Sequence, residues 1–273
     1  MLSVIIPAAN EADLIARCLR ALIASHPVPG GAEVVVVANG CRDATAARAT
    51  EMQPLAAKAG WALTVLDLAE GGKPLALNAG DGVACGEMRA YLDADVVVSP
   101  ALMAQLVQAL VVPQARYASG TPVIPRPRSA VSRAYARFWQ RLPFAQSPAP
   151  GYGLFAVNAA GRARWAAFPA LISDDTFVRL HFAPMERVQT PARYDWPMIE
   201  GFGPLVRVRR RQDAGVAEIA RLYPDLPARD GKARLTAAHL LRLALADPAG
   251  FATYAAVTLS VRLKRGSGWT RGR

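Results

Sequence analysis

The sequence predicts an α/β protein, a mostly parallel sheet flanked by helices, with a helical C-terminal extension. Three observations carry this. Short β-branched runs alternate with helix-length segments from Leu2 to Val123. Several of those runs, such as Val34–Val37, are continuously apolar, as in strands covered on both faces. Polar clusters fall just past the carboxyl ends of the expected strands, where parallel sheets bind ligands.

In order, Leu2–Ile6 reads as a strand. Asn10 is placed to cap a helix over Glu11–Ser25, with Glu11 and Asp13 in its first turn and His26-Pro27 ending it. Glu33–Ala38 is a buried strand. Asp43 is placed to cap Ala44–Ala59, with Pro54 as a kink. Trp61–Leu68 is a strand, Pro74–Ala84 a helix and Met88–Asp93 a strand. Ser99-Pro100 starts a helix over Ala101–Val111, and Tyr117–Val123 is another strand.

The second half is less regular. It offers an amphipathic helix over Ser129–Arg141, a strand over Phe155–Asn158, and a helix capped by Ser173 or Asp174 and running to Phe182. Leu205–Arg211 alternates apolar and basic residues like a half-exposed strand. Arg234–Ala246 and Phe251–Lys264 read as closing helices. The expected organisation is one domain over 1–211, divided into 1–121 and 122–211 near the Pro- and Arg-rich change at Pro122, followed by an extension over 212–273.

At 273 residues and 52% hydrophobic, the chain can bury a large core, and global disorder is excluded. Its formal charge of +11 favours anionic partners: nucleotide or lipid phosphates, or an anionic membrane surface. No helix-turn-helix, zinc-finger spacing or base-stacking motif accompanies the arginines, so no nucleic-acid partner is expected. The three cysteines form no C-x-x-C pair, which argues against a disulfide framework and for a reducing, cytoplasmic compartment. With a strand pattern starting at Leu2, secretion by a cleaved leader is not expected. No stretch is apolar for long enough to span a membrane. The run Ala249–Leu263, followed by Lys264, Arg265 and Trp269, suggests peripheral contact with a membrane surface, or a last helix packed on the domain. His26, His181 and His239 lack metal-ligand spacing and are expected to be structural.

Tyr91-Leu92-Asp93-Ala94-Asp95-Val96 is the most informative segment. Alternation on an extended chain would put Asp93 and Asp95 on one side. Two carboxylates together at a sheet edge cost desolvation and repulsion unless a cation sits between them. A hard divalent ion bridging nucleotide phosphates would supply that charge; a pair of solvated acids opening a loop is the other reading. Pro7–Glu11, Asn39–Asp43 and Gly71–Lys73 follow the other three strands, so four strand ends converge on one crevice.

The ordered set resembles the inverting family 2 glycosyltransferases, which have the Rossmann-like GT-A fold. Ser3-Val4-Ile5-Ile6-Pro7-Ala8-Ala9-Asn10-Glu11 resembles their opening, and Gly72-Lys73-Pro74-Leu75-Ala76-Leu77-Asn78 their lysine-and-asparagine segment. Asp93-Ala94-Asp95 is similar to their Asp-x-Asp element, Gly151-Tyr152-Gly153 to their acceptor-side glycine segment, and Asp174-Asp175 to their Glu-Asp element. The resemblance covers roughly Leu2 to Arg211. It implies a nucleotide-diphosphate sugar donor, uridine being the expected base, and Mg²⁺ or Mn²⁺ held by Asp95 and Asp93. Pro7, Glu11, Asn39, Lys73, Asn78 and Asp93 would meet the donor, and Gly151, Tyr152 and Gly153 the acceptor. Asp175 would be the base that accepts the acceptor hydroxyl's proton, with Asp174 as the other candidate. The implied acceptor is a hydroxyl, anionic or lipid-linked or on a polysaccharide precursor, used at the inner face of a membrane.

Two departures matter. Ala38-Asn39-Gly40 stands where the family often has Asp-Asp-Gly, so the acid that reads the base is replaced by an amide. The Gln-x-x-Arg-Trp element of processive members is absent from Arg207–Gln212, which implies a single addition, with arginines there for a diphosphate or acidic acceptor. A sugar-phosphate nucleotidyltransferase and a catalytically silent nucleotide-binding domain are the alternatives. No Gly-rich phosphate loop follows the first strand to favour the former.

Overall fold

The structure, a computed structural model, describes residues 1–231, 233 and 235–263. β1 (Leu2–Ala8) and β2 (Ala32–Asn39) are buried along nearly their whole length, as their unbroken apolar runs require. Between them α1 (Ile15–Ile23) buries Ile15, Cys18, Leu19, Leu22 and Ile23, the spacing of one helical face. This helix starts later than an Asn10 cap would place it. Asn10 takes a positive φ of 59°, and its Oδ1 accepts from the Arg42 N–H at 2.8 Å, tying two loops together instead.

The expected Ala44–Ala59 helix is two short ones, α2 (Thr45–Thr50) and α3 (Gln53–Lys58). Pro54 sits in the first turn of α3, where its missing N–H costs nothing. β3 (Ala62–Leu68), α4 (Lys73–Val83) and β4 (Met88–Leu92) follow. After a two-residue strand, β5 (Val97–Val98), come α5 (Leu102–Leu110) and β6 (Tyr117–Val123). Ser99 precedes α5 but does not cap it with its side chain.

The expected helix over Ser129–Arg141 is α6 (Ala130–Trp139), and Ser129 caps it, its side chain accepting from the Ser132 N–H. β7 (Leu154–Val157) leads into α7 (Ala159–Arg162), whose cap is Asn158, and then into α8 (Asp174–Leu180). β8 (Arg187–Asp195) was not legible, because Pro191 interrupts its alternation. Its parallel pairing with β6 slips between Ser119/Gln189 and Thr121/Arg193, and this irregularity absorbs the proline. The eight strands form one sheet in the order β3-β2-β1-β4-β7-β6-β8-β5. Only the β4–β7, β6–β7 and β5–β8 pairings are antiparallel.

The expected strand Leu205–Arg211 is instead the start of α9 (Phe202–Leu222). Leu205, Val208, Arg209 and Gln212 share one helical face, and that i, i+3, i+4, i+7 spacing overrides the apolar–basic alternation. The expected division at 211/212 therefore falls inside a helix, and the one at 121/122 inside β6. α10 (Ala237–Ala246) and α11 (Pro248–Leu263) close the described chain. They pack, through Leu240, Leu243, Phe251, Tyr254 and Val257, on a core shared with α6 and α9. Lys264, Arg265, Trp269, Arg271 and Arg273 lie outside the described residues. Among the described residues no helix is long and apolar enough to cross a membrane.

Candidate active site

A cavity of about 490 Å³ opens at the carboxyl ends of β1, β2 and β4. Its acidic side begins where β4 stops. Asp93 leaves the sheet, its N–H donating to the Gly153 carbonyl at 2.9 Å, and the Val96 N–H closes a turn onto the Asp93 carbonyl at 3.1 Å. Asp93 and Asp95 both line the cavity, but they reach it through this turn and not by strand alternation as expected. The extended reading failed because the ladder to β7 ends at Leu92.

Lys73 is the first residue of α4 and sits between acids from distant parts of the chain. Its Nζ is 2.8 Å from Asp93 Oδ1 and 3.1 Å from Asp174 Oδ2. Burial alone would lower the lysine's pKa; the carboxylates of Asp174, Asp93 and Asp175 outweigh it and hold the ammonium charged. Burial raises the Asp174 carboxyl above its ordinary range; Lys73 opposes this and Asp175 adds to it. Asp174 and Asp175 open α8, where the helix dipole favours carboxylates. Asp174 is buried against Lys73, whereas Asp175 is half-buried and faces the cavity.

The loop bearing Lys73 is pinned by Asn39. Asn39 Nδ2 donates to the Ala8 and Val37 carbonyls at 2.9 and 3.2 Å, and its Oδ1 accepts from the Gly72 N–H at 2.9 Å. The side chain expected to meet the nucleotide thus stitches β1, β2 and the Gly71-Gly72 turn together, and both amide hydrogens are used. Gly40 lets that turn approach: a Cβ there would lie 2.7 Å from the Gly71 backbone.

Pro7 and Glu11 lie past β1 on the cavity wall. Glu11 precedes α1, so it is not a first-turn helix charge. Tyr152 and Gly153 line the cavity, and Gly151 lies beneath it. Gly151 and Gly153 both have positive φ, and a Cβ would strike Tyr117 at the first and Trp196 at the second. Asn78 does not join the site. Its Nδ2 donates to the Phe168 carbonyl at 3.0 Å and its Oδ1 accepts from the Phe168 N–H at 2.7 Å, fixing α4 to the segment before α8.

The aromatic partners of the expected Tyr152 were missed. Trp139 of α6, Tyr152 and Trp196 pack ring against ring on the cavity wall, with Trp196 centroids 5.7 and 4.5 Å from the other two. Leu205, Val208, Arg209 and Gln212 of α9 extend this wall. The available signal was the Tyr135/Trp139 spacing on α6, one turn apart on a single face. α9 also touches the acid pair's loop: Glu218 Oε2 accepts from the Ile172 N–H at 3.0 Å, and Gly215 packs on Ser173.

Asp93 and Asp95 offer hard oxygen donors on one turn, the donor set that suits Mg²⁺ or Mn²⁺ shared with phosphates and water. Among the described residues no three His, Cys, Asp or Glu side chains gather closely enough to hold a metal alone. The residues fit an ion whose coordination is completed by a ligand.

A family model described as glycosyl transferase family 2 matches residues 3–163, more than half of the chain. The chain belongs to glycosyl transferase family 2. It is a glycosyltransferase, and its solved structural neighbours share the GT-A fold. The mannosyltransferase PcManGT from Pyrobaculum calidifontis, in complex with GDP-Man and Mn2+, is 24% identical with a TM-score of 0.63, over 97% of this chain and 76% of that one. TarS 1-349 of S. aureus in complex with UDP is 15% identical with a TM-score of 0.55, over 89% and 70%. Glucosyl-3-phosphoglycerate synthase from Mycobacterium tuberculosis, with Mn2+ and UDP-Glc, is 15% identical with a TM-score of 0.54, over 80% and 78%. A comparison with curated proteins found no match.

Proposed function

We propose that this glycosyltransferase moves a sugar from a nucleotide-diphosphate sugar to a hydroxyl acceptor in one inverting displacement. The observation that carries the reading is Lys73, which links Asp93 of the Asp93–Asp95 turn to Asp174 of the acid pair, both on one cavity. Asp95 and Asp93 would hold Mg²⁺ or Mn²⁺, and Pro7, Glu11 and Lys73 the rest of the donor. A divalent ion there supplies positive charge for the departing diphosphate.

The acceptor oxygen attacks the anomeric carbon as the bond to the diphosphate breaks, and its proton passes to a carboxylate. Asp175 suits that role because it faces the cavity, while Asp174 is buried against Lys73. A single displacement from the face opposite the leaving group inverts the anomeric centre. The aromatic wall and Arg209 make the acceptor side, which suits a saccharide hydroxyl on a lipid-linked or polysaccharide precursor bearing negative charge. We place the enzyme in the cytoplasm, peripheral at the inner membrane face. The similar structures hold guanosine and uridine nucleotides, and with Asn39 engaged internally the uridine expectation rests on the resemblance alone.

Release of nucleoside diphosphate from a panel of nucleotide sugars, with Mn²⁺ and with chelator, tests the reading. Metal-dependent release that disappears in Asp175→Asn supports it. Pyrophosphate formed from a nucleoside triphosphate and a sugar phosphate would replace it with nucleotidyl transfer. Nucleotide binding without turnover of any donor would favour the silent domain.

A further inference from the structure

Among the described residues, the last two helices leave an apolar face without a partner. Leu241 and Leu245 lie one turn apart on α10, and Leu259 and Leu263 one turn apart on α11; each is 57–74% exposed. On α11 the exposed Ala252 and Ala256 continue the row of Leu259 and Leu263. The opposite sides of both helices, through Leu240, Leu243, Tyr254 and Val257, are used in a core shared with α6 and α9. The leucines are therefore not a core face left open by fraying, because the hairpin already has its core.

Charge says what covers this face. Arg242 and Arg262 stand exposed beside the leucines. From residue 231 to the end the sequence has eight basic residues and a single acid, Asp247, which is bound to Arg137. Exposed leucines beside Arg242 and Arg262, in a basic stretch of the sequence, match an anionic lipid surface: the apolar side chains enter the headgroup boundary and the cations meet phosphates. A second copy of the chain fits worse, since a self-contact would press like charges together. The hairpin also shares its core with Tyr135, Trp139 and Leu205, which line the acceptor side of the cavity.

We propose that the outer face of the α10–α11 hairpin docks the protein on an anionic phospholipid bilayer. This builds on the peripheral location in the proposed function and is independent of its chemistry. The test is co-sedimentation of the full chain with vesicles of phosphatidylcholine alone or mixed with phosphatidylglycerol, with thermal unfolding as the folding control. The wild type should partition to the mixed vesicles and weakly to phosphatidylcholine. Leu241→Glu/Leu245→Glu and Leu259→Glu/Leu263→Glu should each lower partition by about tenfold or more. Arg242→Gln/Arg262→Gln, which keeps the apolar face, should lower it by about fivefold per arginine. Equal partition to both vesicle types, or full partition of folded leucine variants, would overturn the proposal. So would absence of partition with a doubled solution mass that the leucine variants abolish, which would assign the face to a second copy. Nucleotide binding in vesicle-free buffer should be unchanged in all of these variants, so that failure here is separable from failure of the glycosyl-transfer reading.

Discussion

Lys73 and Asp174 meet at 3.1 Å, joining the first residue of α4 to the first residue of α8. The same ammonium is 2.8 Å from Asp93 at the end of β4. One cation thus separates carboxylates that would otherwise face each other in a partly dry cavity. Lys73→Met should remove that separation and destabilise the fold by about 1 kcal/mol, less than a fully buried pair because Lys73 is 40% exposed. Asp174→Asn in the same chain should recover part of the loss. Urea unfolding of the two single variants and the double variant checks this; additive losses would show that the pair is not coupled.

Asn78 is predicted to be a structural residue. Asn78→Ala removes both hydrogen bonds to the Phe168 backbone and should cost about 1–3 kcal/mol. Donor KM at a temperature where the variant is folded should stay near the wild-type value. A large rise in KM with unchanged stability would return Asn78 to the binding site.

Gly215 couples α9 to the acid pair. A Cβ there would lie 2.2 Å from Ser173 Oγ, one residue before Asp174. Gly215→Ala should therefore destabilise by about 1–3 kcal/mol through overpacking, and lower turnover more than donor affinity. Adding Ser173→Ala should restore part of both. A Gly215→Ala protein with wild-type stability and turnover would show that α9 yields freely and positions nothing.

Much of the fold was legible, because β1 and β2 are buried along nearly their whole length and their apolar runs have one reading. The strand-end clusters were legible for the same reason, since a parallel sheet directs them to one side. What was lost depended on partners distant in sequence. Asn39 and Asn78 look like ligand-binding amides until their acceptors at Ala8 and Phe168 are known. The apolar–basic alternation of Leu205–Arg211 fits a strand, and only the cavity and core packing of Leu205 and Val208 selects the helix. β8 was hidden by Pro191, which a shift in register accommodates. The aromatic wall escaped because Trp139 and Trp196 belong to segments far apart that meet only in the folded chain.

Asp247 gives a pH-dependent contribution. The bidentate Arg137 contact, at 3.1 and 3.0 Å, and the Gly250 N–H hold its carboxyl below the ordinary range, the arginine contributing most. A depressed folded-state pKa stabilises above the unfolded value of 3.8 and is lost as pH falls through the folded one. Asp247→Asn keeps a helix cap and loses the ion pair, so near neutral pH it should cost up to about 1 kcal/mol. That gap should narrow below about pH 4. Urea unfolding of both proteins across this range checks it; a gap that widens on acidification would contradict the assignment.

In the proposed reaction two acidic groups on one cavity do separate work, Asp95 on the metal and Asp175 on the acceptor proton. The direct measurement is the thermal shift produced by a nucleoside diphosphate with Mn²⁺ in the wild type, Asp95→Ala and Asp175→Asn. Metal-dependent stabilisation should be present in the wild type, absent in Asp95→Ala and retained in Asp175→Asn, although Asp175→Asn should transfer no sugar. Full metal-dependent stabilisation of Asp95→Ala, or sugar transfer at the wild-type rate by Asp175→Asn, would contradict the account.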